Sequence, residues 1–136
     1  MIKKQIHHFL KGKVRIFTYI APNTIIGKYT TIGEGSIIAP NCILSTNVEI
    51  NQFVTINCGS QIGHDCFVDS FSSLMPSVDL VGCVRLGESV LWEQTQQLFP
   101  RGRLPIILGL ALGLLCLKTF QSRAPYLGNP ATLLRF

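Results

Sequence analysis

The residues best suited to chemistry stand side by side in the middle of the chain, in the order His64, Asp65 and Cys66. Imidazole changes its charge near neutral pH, so His64 is a candidate general base. The three side chains could also be read as a metal ligand set. Consecutive residues on a strand point in alternating directions, however, and cannot readily close a tetrahedral site. We therefore expect acid–base chemistry here and no metal.

A six-residue repeat runs through residues 14–91 and must position these side chains. Apolar residues recur every three or four residues in a helix and every two residues in an ordinary strand. A period of six residues therefore requires a corner in every hexad. Three hexads make one triangular coil, and residues eighteen apart stack on one another. The pattern predicts an all-β fold, a single-stranded parallel β-helix. Each hexad opens with an aliphatic residue (Val14, Ile20, Ile26, Ile32, Ile38, Leu44, Ile50, Ile56, Ile62, Val68, Leu74, Leu80 and Leu86) and has a small or β-branched partner four places later (Thr18, Thr24, Thr30, Ser36, Cys42, Val48, Val54, Ser60, Cys66, Ser72, Val78, Val84 and Val90).

The hexads, together with residues 56–66 and 76–88, resemble the hexapeptide-repeat acetyltransferases, in the branch of sialic-acid O-acetyltransferases and nucleotide-amino-sugar N-acetyltransferases. The sequence His-Asp-Cys after Ile-Gly is the more specific part of this resemblance. It implies a left-handed β-helix, acetyl-CoA as co-substrate and a sugar or nucleotide-sugar acceptor. It also implies direct attack of the acceptor on the thioester, without a covalent enzyme intermediate.

The resemblance assigns roles to individual residues. His64 is the base, Asp65 orients its imidazole and stabilises the charged form, and Asn57 supports the pair. Gly82, one coil after His64, would polarise the thioester carbonyl with its backbone N–H. Ser73 stands where the family commonly carries a second histidine near acetyl-CoA, so contact with the acetyl donor is expected to be weakened or rearranged. The alternative is that Gly82 is only a corner glycine and Asn57 only a turn residue.

The repeat fails after Leu91, and the character of the chain changes over residues 92–123. An apolar run at 104–117 is too short to span a bilayer, so no membrane partner is expected. Reading the codons one base earlier permits peptides with the lost six-residue period, and Trp92 followed by Glu93 forces a glycine in that frame. We therefore hypothesise that 92–123 is an out-of-frame segment. The reading frame of the given sequence matches the family again in the tail at 124–136. Its Gly-Asn-Pro-Ala resembles the motif that closes the coil in the family.

Charge and cysteine content restrict the partners and the compartment. The formal net charge is +5, but no basic patch with alternating aromatics lies on the repeat, so no nucleic acid is expected. Five cysteines without a Cys-x-x-Cys pair, and the lack of a signal peptide, indicate the reducing cytoplasm. Residues 1–13, with His7 and His8, are expected to be a basic, solvated and disordered lead-in.

The resemblance also implies an assembly. Members of the family form homotrimers whose active sites lie between subunits, with coenzyme A held partly by the neighbour's later coils. Relatives in this branch often carry a small α/β domain ahead of the coil that binds the nucleotide sugar, whereas this chain begins almost at the coil. Because the altered segment falls where the last coils should be, we expect weak or no activity from the chain as written.

Two other classes of function remain open. The chain could be a β-helix scaffold or regulatory protein without catalysis. It could also be a carbonic-anhydrase-like prism, although that reading requires three histidines around zinc and the repeat holds only His64. Within the acetyltransferase reading, O-acetylation of sialic acid or its activated form and N-acetylation of a nucleotide-linked amino sugar are nearly equal. His64 followed by Asp65 favours the first.

Overall fold

The computed structural model describes residues 2–92 and five two-residue strands beyond them. One helix precedes a series of short strands. The elements are α1 (Ile2–Leu10), β1 (Tyr19–Ile20), β2 (Ile25–Ile26), β3 (Thr31–Ile32), β4 (Ile37–Ile38), β5 (Ile43–Leu44), β6 (Glu49–Ile50), β7 (Thr55–Ile56), β8 (Gln61–Ile62), β9 (Phe67–Val68), β10 (Ser73–Leu74), β11 (Asp79–Leu80), β12 (Arg85–Leu86), β13 (Leu91–Trp92), β14 (Gln97–Leu98), β15 (Arg103–Leu104), β16 (Leu115–Cys116), β17 (Tyr126–Leu127) and β18 (Thr132–Leu133).

The strands form three parallel sheets, one for each face of a triangular solenoid. Sheet A has the order β1-β4-β7-β10-β13, sheet B has β2-β5-β8-β11-β14-β16, and sheet C has β3-β6-β9-β12-β15. Every parallel pairing joins residues eighteen apart, as Ile38 pairs with Ile56 and Leu44 with Ile62. The predicted parallel β-helix of hexads is confirmed. Strands β17 and β18 pair antiparallel with each other.

The corner between successive strands has the same backbone in each hexad. From Tyr29 to Ser89, the third residue after each opener has a positive φ. Glycine occupies this position only at Gly35 and Gly59, and the other nine positions carry side chains, among them Asp65 with φ 57°. A non-glycine residue in this region costs roughly 1–2 kcal/mol, so the stacking of coils must impose the turn.

The repeated inward positions form one continuous core. From Ile38 to Trp92 each opener is at most 1 % exposed. Burying such a side chain stabilises the fold by about 1.5–3 kcal/mol. The first openers are an exception to the predicted inward positions, because no coil stacks before them and Val14, Ile20 and Ile26 are 40 to 49 % exposed. The first strand of the coil is β1, which begins at Tyr19.

Buried hydroxyls at the small inward position are satisfied by the next coil. Ser36 is fully buried, and its Oγ donates to the Asn51 carbonyl at 2.8 Å while accepting from the Val54 N–H at 3.0 Å. Ser72 repeats the arrangement with the carbonyl of Gly87. Because each hydroxyl both donates and accepts, serine can occupy a core of aliphatic residues without an unpaired polar group.

The N-terminal segment differs from the solvated, disordered lead-in that we expected. It contains α1, which has no buried residue but contacts the corner between sheets C and A. The His7 ring lies 4.4 Å from that of Phe53, which stacks on Phe71 at 5.4 Å. The Lys3 amine donates to the Ser72 carbonyl at 3.2 Å. This helix therefore lies along the coil in the region of sheet A.

Beyond Leu91 the described strands as far as β16 keep the spacing of the coil. Trp92 stands at an opener position and is fully buried, and its carbonyl accepts from the Met75 N–H. Strands β14, β15 and β16 each pair with a partner eighteen residues earlier. The rest of 93–136, including most of the suspected out-of-frame segment and the Gly-Asn-Pro-Ala motif, lies outside the described residues. In the part that is described, no helix is long and apolar enough to cross a membrane.

Candidate active site

The candidate base and its carboxylate lie at the corner between β8 and β9, where sheet B turns into sheet C. His64 Nδ1 lies 2.7 Å from Asp65 Oδ2, and the two side chains are 59 % and 48 % exposed. The positive φ of Asp65 turns its carboxylate back toward the preceding imidazole. Adjacent residues that would diverge on a strand therefore converge at this corner.

Asp65 has a second partner in the coil below. The Asn47 side-chain amide donates to Asp65 Oδ1 at 2.5 Å. This bond, followed by the bond to His64, lowers the pKa of the Asp65 carboxyl below its ordinary value. An ionised Asp65 favours the neutral tautomer of His64 that carries its proton on Nδ1 and leaves the Nε2 lone pair available. The pair is thus arranged to accept a proton at Nε2.

Gly82 lies directly against the imidazole, as the eighteen-residue stacking predicted. A Cβ at Gly82 would lie 2.5 Å from His64 Nε2, so only glycine leaves room for the ring in this position. Gly82 is buried, and its N–H has no hydrogen-bond acceptor among the described residues. The equivalent amides of other hexads, such as those of Thr46 and His64, likewise have no acceptor among the described residues, so it is the closeness of Gly82 to the imidazole that makes its N–H a candidate donor to an oxyanion.

Cys83 completes the corner, which sequence reasoning had not foreseen. It stacks on Asp65, and its N–H donates to the His64 carbonyl at 2.8 Å. One ligand atom each from His64, Asp65 and Cys83 lie within 4.8 Å of one another. Cys66 is buried in the core, as predicted for an inward small position, and burial raises the pKa of its thiol to about 11.

Asn57 and Ser73 lie elsewhere in the chain. Asn57 is at the preceding corner, between β7 and β8, and its side-chain amide donates to the Leu74 carbonyl at 2.9 Å. Within one chain the contact to Asp65 is made by Asn47 and not by Asn57, and a supporting role for Asn57 stays a prediction. Ser73 is in β10 on sheet A, the face opposite the corner of His64. Within one chain the two cannot act on the same atom.

A groove of about 500 Å³ runs from this corner along sheet C. Its lining includes Asp65, Tyr29 and Glu49, and the Arg85 guanidinium lies 4.3 Å from the centre of the Phe67 ring. Stacking on an aromatic ring holds an arginine in place while leaving its donors free. The groove therefore brings a cation and an aromatic face next to the candidate pair.

Comparisons with known proteins give acetyltransferases. The chain is 35 % identical over 63 residues to a GDP-perosamine N-acetyltransferase of Escherichia coli O157:H7, a match that covers 46 % of this chain and 28 % of that protein. A mutant of GDP-perosamine N-acetyltransferase from Caulobacter crescentus, in complex with CoA and GDP-perosamine, has a TM-score of 0.95 at 17 % identity. The acetyltransferase domain of PglB from Neisseria gonorrhoeae, in complex with acetyl coenzyme A, has a TM-score of 0.91 at 21 % identity.

These two structural matches cover 99 % and 98 % of this chain but 65 % of each solved chain. This chain therefore spans less than two thirds of each of these relatives. No protein-family model matches it. The predicted resemblance to hexapeptide-repeat acetyltransferases is confirmed by the sequence match, and the structural matches confirm the fold.

Proposed function

We propose that this hexapeptide-repeat coil, similar to nucleotide-sugar N-acetyltransferases, carries the catalytic corner of an acetyl-CoA-dependent N-acetyltransferase. The acceptor would be the amine of a nucleotide-linked amino sugar. The observation that carries the proposal is the convergence of His64, Asp65 and Gly82 at one corner. A base with a free nitrogen and an unpaired backbone donor are the two groups that acyl transfer to an amine requires.

In the proposed reaction, the sugar amine attacks the thioester carbonyl of acetyl-CoA as His64 Nε2 removes a proton from it. Asp65 stabilises the imidazolium that results, and Asn47 keeps Asp65 ionised. The Gly82 N–H donates to the oxyanion of the tetrahedral intermediate. Collapse of that intermediate breaks the carbon–sulfur bond, and the CoA thiolate leaves with the proton returned by His64.

The active form of the proposed enzyme is a homotrimer with sites between subunits. The family resemblance puts Ser73 near acetyl-CoA, and its place on sheet A then supports a shared site, because from there it can approach a His64 only in another copy of the chain. Closed cyclic symmetry would give each copy one such interface on either side. Acetyl-CoA would then contact His64 of one subunit and the sheet A face of its neighbour.

The relatives favour nitrogen over oxygen as the acceptor atom. Two of the proteins compared above are named as N-acetyltransferases of GDP-perosamine. Our preference from His64 and Asp65 for O-acetylation of sialic acid has no such support. It remains the second candidate acceptor chemistry. We place the reaction in the cytoplasm.

We further propose that the chain as written has weak or no activity, because the altered sequence at 92–123 falls where the later coils should be. The test compares this chain with a version whose codons over 92–123 are read one base earlier. Both are assayed with labelled acetyl-CoA against amino sugars and sialic acids, free and nucleotide-linked. We expect transfer to a nucleotide-linked amine by the restored version and its loss on His64→Ala.

The outcomes separate the remaining alternatives. Robust turnover by the chain as written would refute the proposed impairment. If the restored version stays fully active when it carries His64→Ala, His64 has no part in the mechanism. A restored version that is trimeric but transfers no acetyl group to any acceptor would favour a scaffold without catalysis.

A further inference from the structure

We propose that His64, Asp65 and Cys83 form a binding site for a thiophilic divalent cation such as Zn²⁺ or Cd²⁺. The bound cation inhibits the acetyl transfer proposed for this corner. The three side chains offer a nitrogen, an oxygen and a sulfur whose ligand atoms lie within 4.8 Å of one another. Nitrogen, oxygen and sulfur together are the donor set that zinc prefers.

The stacked corner explains why three ligands converge. Asp65 and Cys83 occupy equivalent positions one coil apart, with φ of 57° and 63°, and both side chains leave the coil in the same direction. His64 precedes Asp65, and its carbonyl accepts from the Cys83 N–H at 2.8 Å. Backbone hydrogen bonds between coils therefore hold the three positions together, whatever the side chains do.

The distances are compatible with a small cation. Bonds of about 2.0–2.3 Å at tetrahedral angles place ligand atoms roughly 3.3–3.7 Å apart, so the widest pair here must close by about 1 Å. All three residues are exposed, and rotation of the Cys83 thiol can supply that movement. Asn47 holds the second carboxylate oxygen of Asp65, as outer partners of metal ligands commonly do.

Charge favours the same occupant. In the bound form, a carboxylate, a thiolate and a neutral imidazole would together balance the charge of one divalent cation. Cys42 and Cys66 are excluded as ligands because both are buried in the core. Cys58 is exposed but lies at the corner between sheets A and B, away from this group. Of the cysteines in residues 2–92, Cys83 alone belongs to such a cluster.

Inhibition rests on the proposed function, whereas binding does not. A cation that takes a nitrogen of His64 and an oxygen of Asp65 removes the group that accepts the proton from the sugar amine. Three protein ligands leave a fourth position open to water or to a thiol such as free CoA.

The test uses the full chain as written and needs no acetyl transfer. Cd²⁺ is titrated into the reduced protein, and the ultraviolet charge-transfer band of the cadmium–thiolate bond is followed. We expect one equivalent to bind, and Cys83→Ser to abolish the band. Serine is tolerated at this backbone position, since Ser77 and Ser89 occupy it in other hexads. Cys58→Ser is the matched control and should leave the titration unchanged.

A second variant separates ligation from simple thiol binding. His64→Gln should weaken Cd²⁺ binding more than about 100-fold, because even outer-shell changes commonly cost about 10–100-fold. A band that survives in Cys83→Ser would place the cation on another cysteine and overturn the proposal. So would unchanged affinity in His64→Gln. Binding as expected, with no acetyl transfer by the restored version, would sink the proposed function and leave this site standing.

Discussion

Replacing Gly82 with alanine tests the geometry of the corner directly. The new Cβ would lie 2.5 Å from His64 Nε2 and 2.8 Å from both Cδ2 and Cε1. Non-bonded heavy atoms prefer about 3.5–4.0 Å, so the ring must move by about 1 Å. Such a movement lengthens the 2.7 Å contact between His64 and Asp65 and displaces Nε2 from its present position.

The expected effect is a loss of activity with little loss of stability. A displacement of about 1 Å in a catalytic group can cost about 100-fold in rate. The imidazole is exposed and can move aside, so the free energy of unfolding should change by less than about 0.5 kcal/mol. Gly82 does not have a positive φ, and alanine adds no backbone strain there.

Two measurements check this prediction. Acetyl transfer by the restored version reports the rate, and the imidazole NMR signals of His64 in the chain as written report the ring position. The control is Gly63→Ala, whose Cβ would meet the backbone of Gly82 and lie 2.8 Å from the Leu80 carbonyl oxygen. Backbone cannot move aside, so this change should destabilise the fold by about 1–3 kcal/mol. A Gly82→Ala protein with normal rate and unchanged imidazole signals would refute the reasoning.

Two titratable groups give further predictions. Asn47→Gly keeps the positive φ and removes the amide that donates to Asp65, so the pKa of the Asp65 carboxyl should rise toward its ordinary value. As the pH falls, the stabilising effect of the ionised carboxylate is then lost at a higher pH than in the unchanged chain. NMR titration of the carboxyl measures this shift, and Asn41→Gly is the control. Burial lowers the pKa of Lys3 from 10.5 to about 8, so the unfolded chain binds more protons between these values and the free energy of unfolding should rise with pH there. Lys3→Met should flatten that rise in urea denaturation, and an unchanged slope would exclude Lys3 as its source.

The coil could be predicted from the sequence because its physics is repetitive. A chain with an inward aliphatic side chain at every sixth residue can pack in few ways. Because three hexads make one triangular coil, residues eighteen apart in the sequence stack on one another. The same rule predicts that Gly82 lies beside His64. It was not applied to Asp65, although subtracting and adding eighteen gives Asn47 and Cys83, the two contacts that the sequence analysis missed.

Other features depend on interactions that the period does not encode. The helix α1 lies on the coil through Lys3 and His7, whose partners are more than forty residues away. Asn57 was assigned to the pair by resemblance, yet its amide satisfies a carbonyl at its own corner. Trp92 breaks the aliphatic pattern and is nevertheless fully buried at an opener position. The end of the core has room for the Trp92 side chain, although the hexad pattern predicts an aliphatic residue at this position.

The identical spacing of every pairing has a consequence for changes in chain length. One residue inserted between Asp65 and Gly82 would carry each later side chain out of phase, so that core residues faced solvent and Gly82 left the imidazole. An insertion of eighteen would restore the phase but separate the two halves of the corner by an extra lap. Only loops that bulge from a corner and rejoin it at the same point can lengthen this stretch, so the solenoid acts as a molecular ruler.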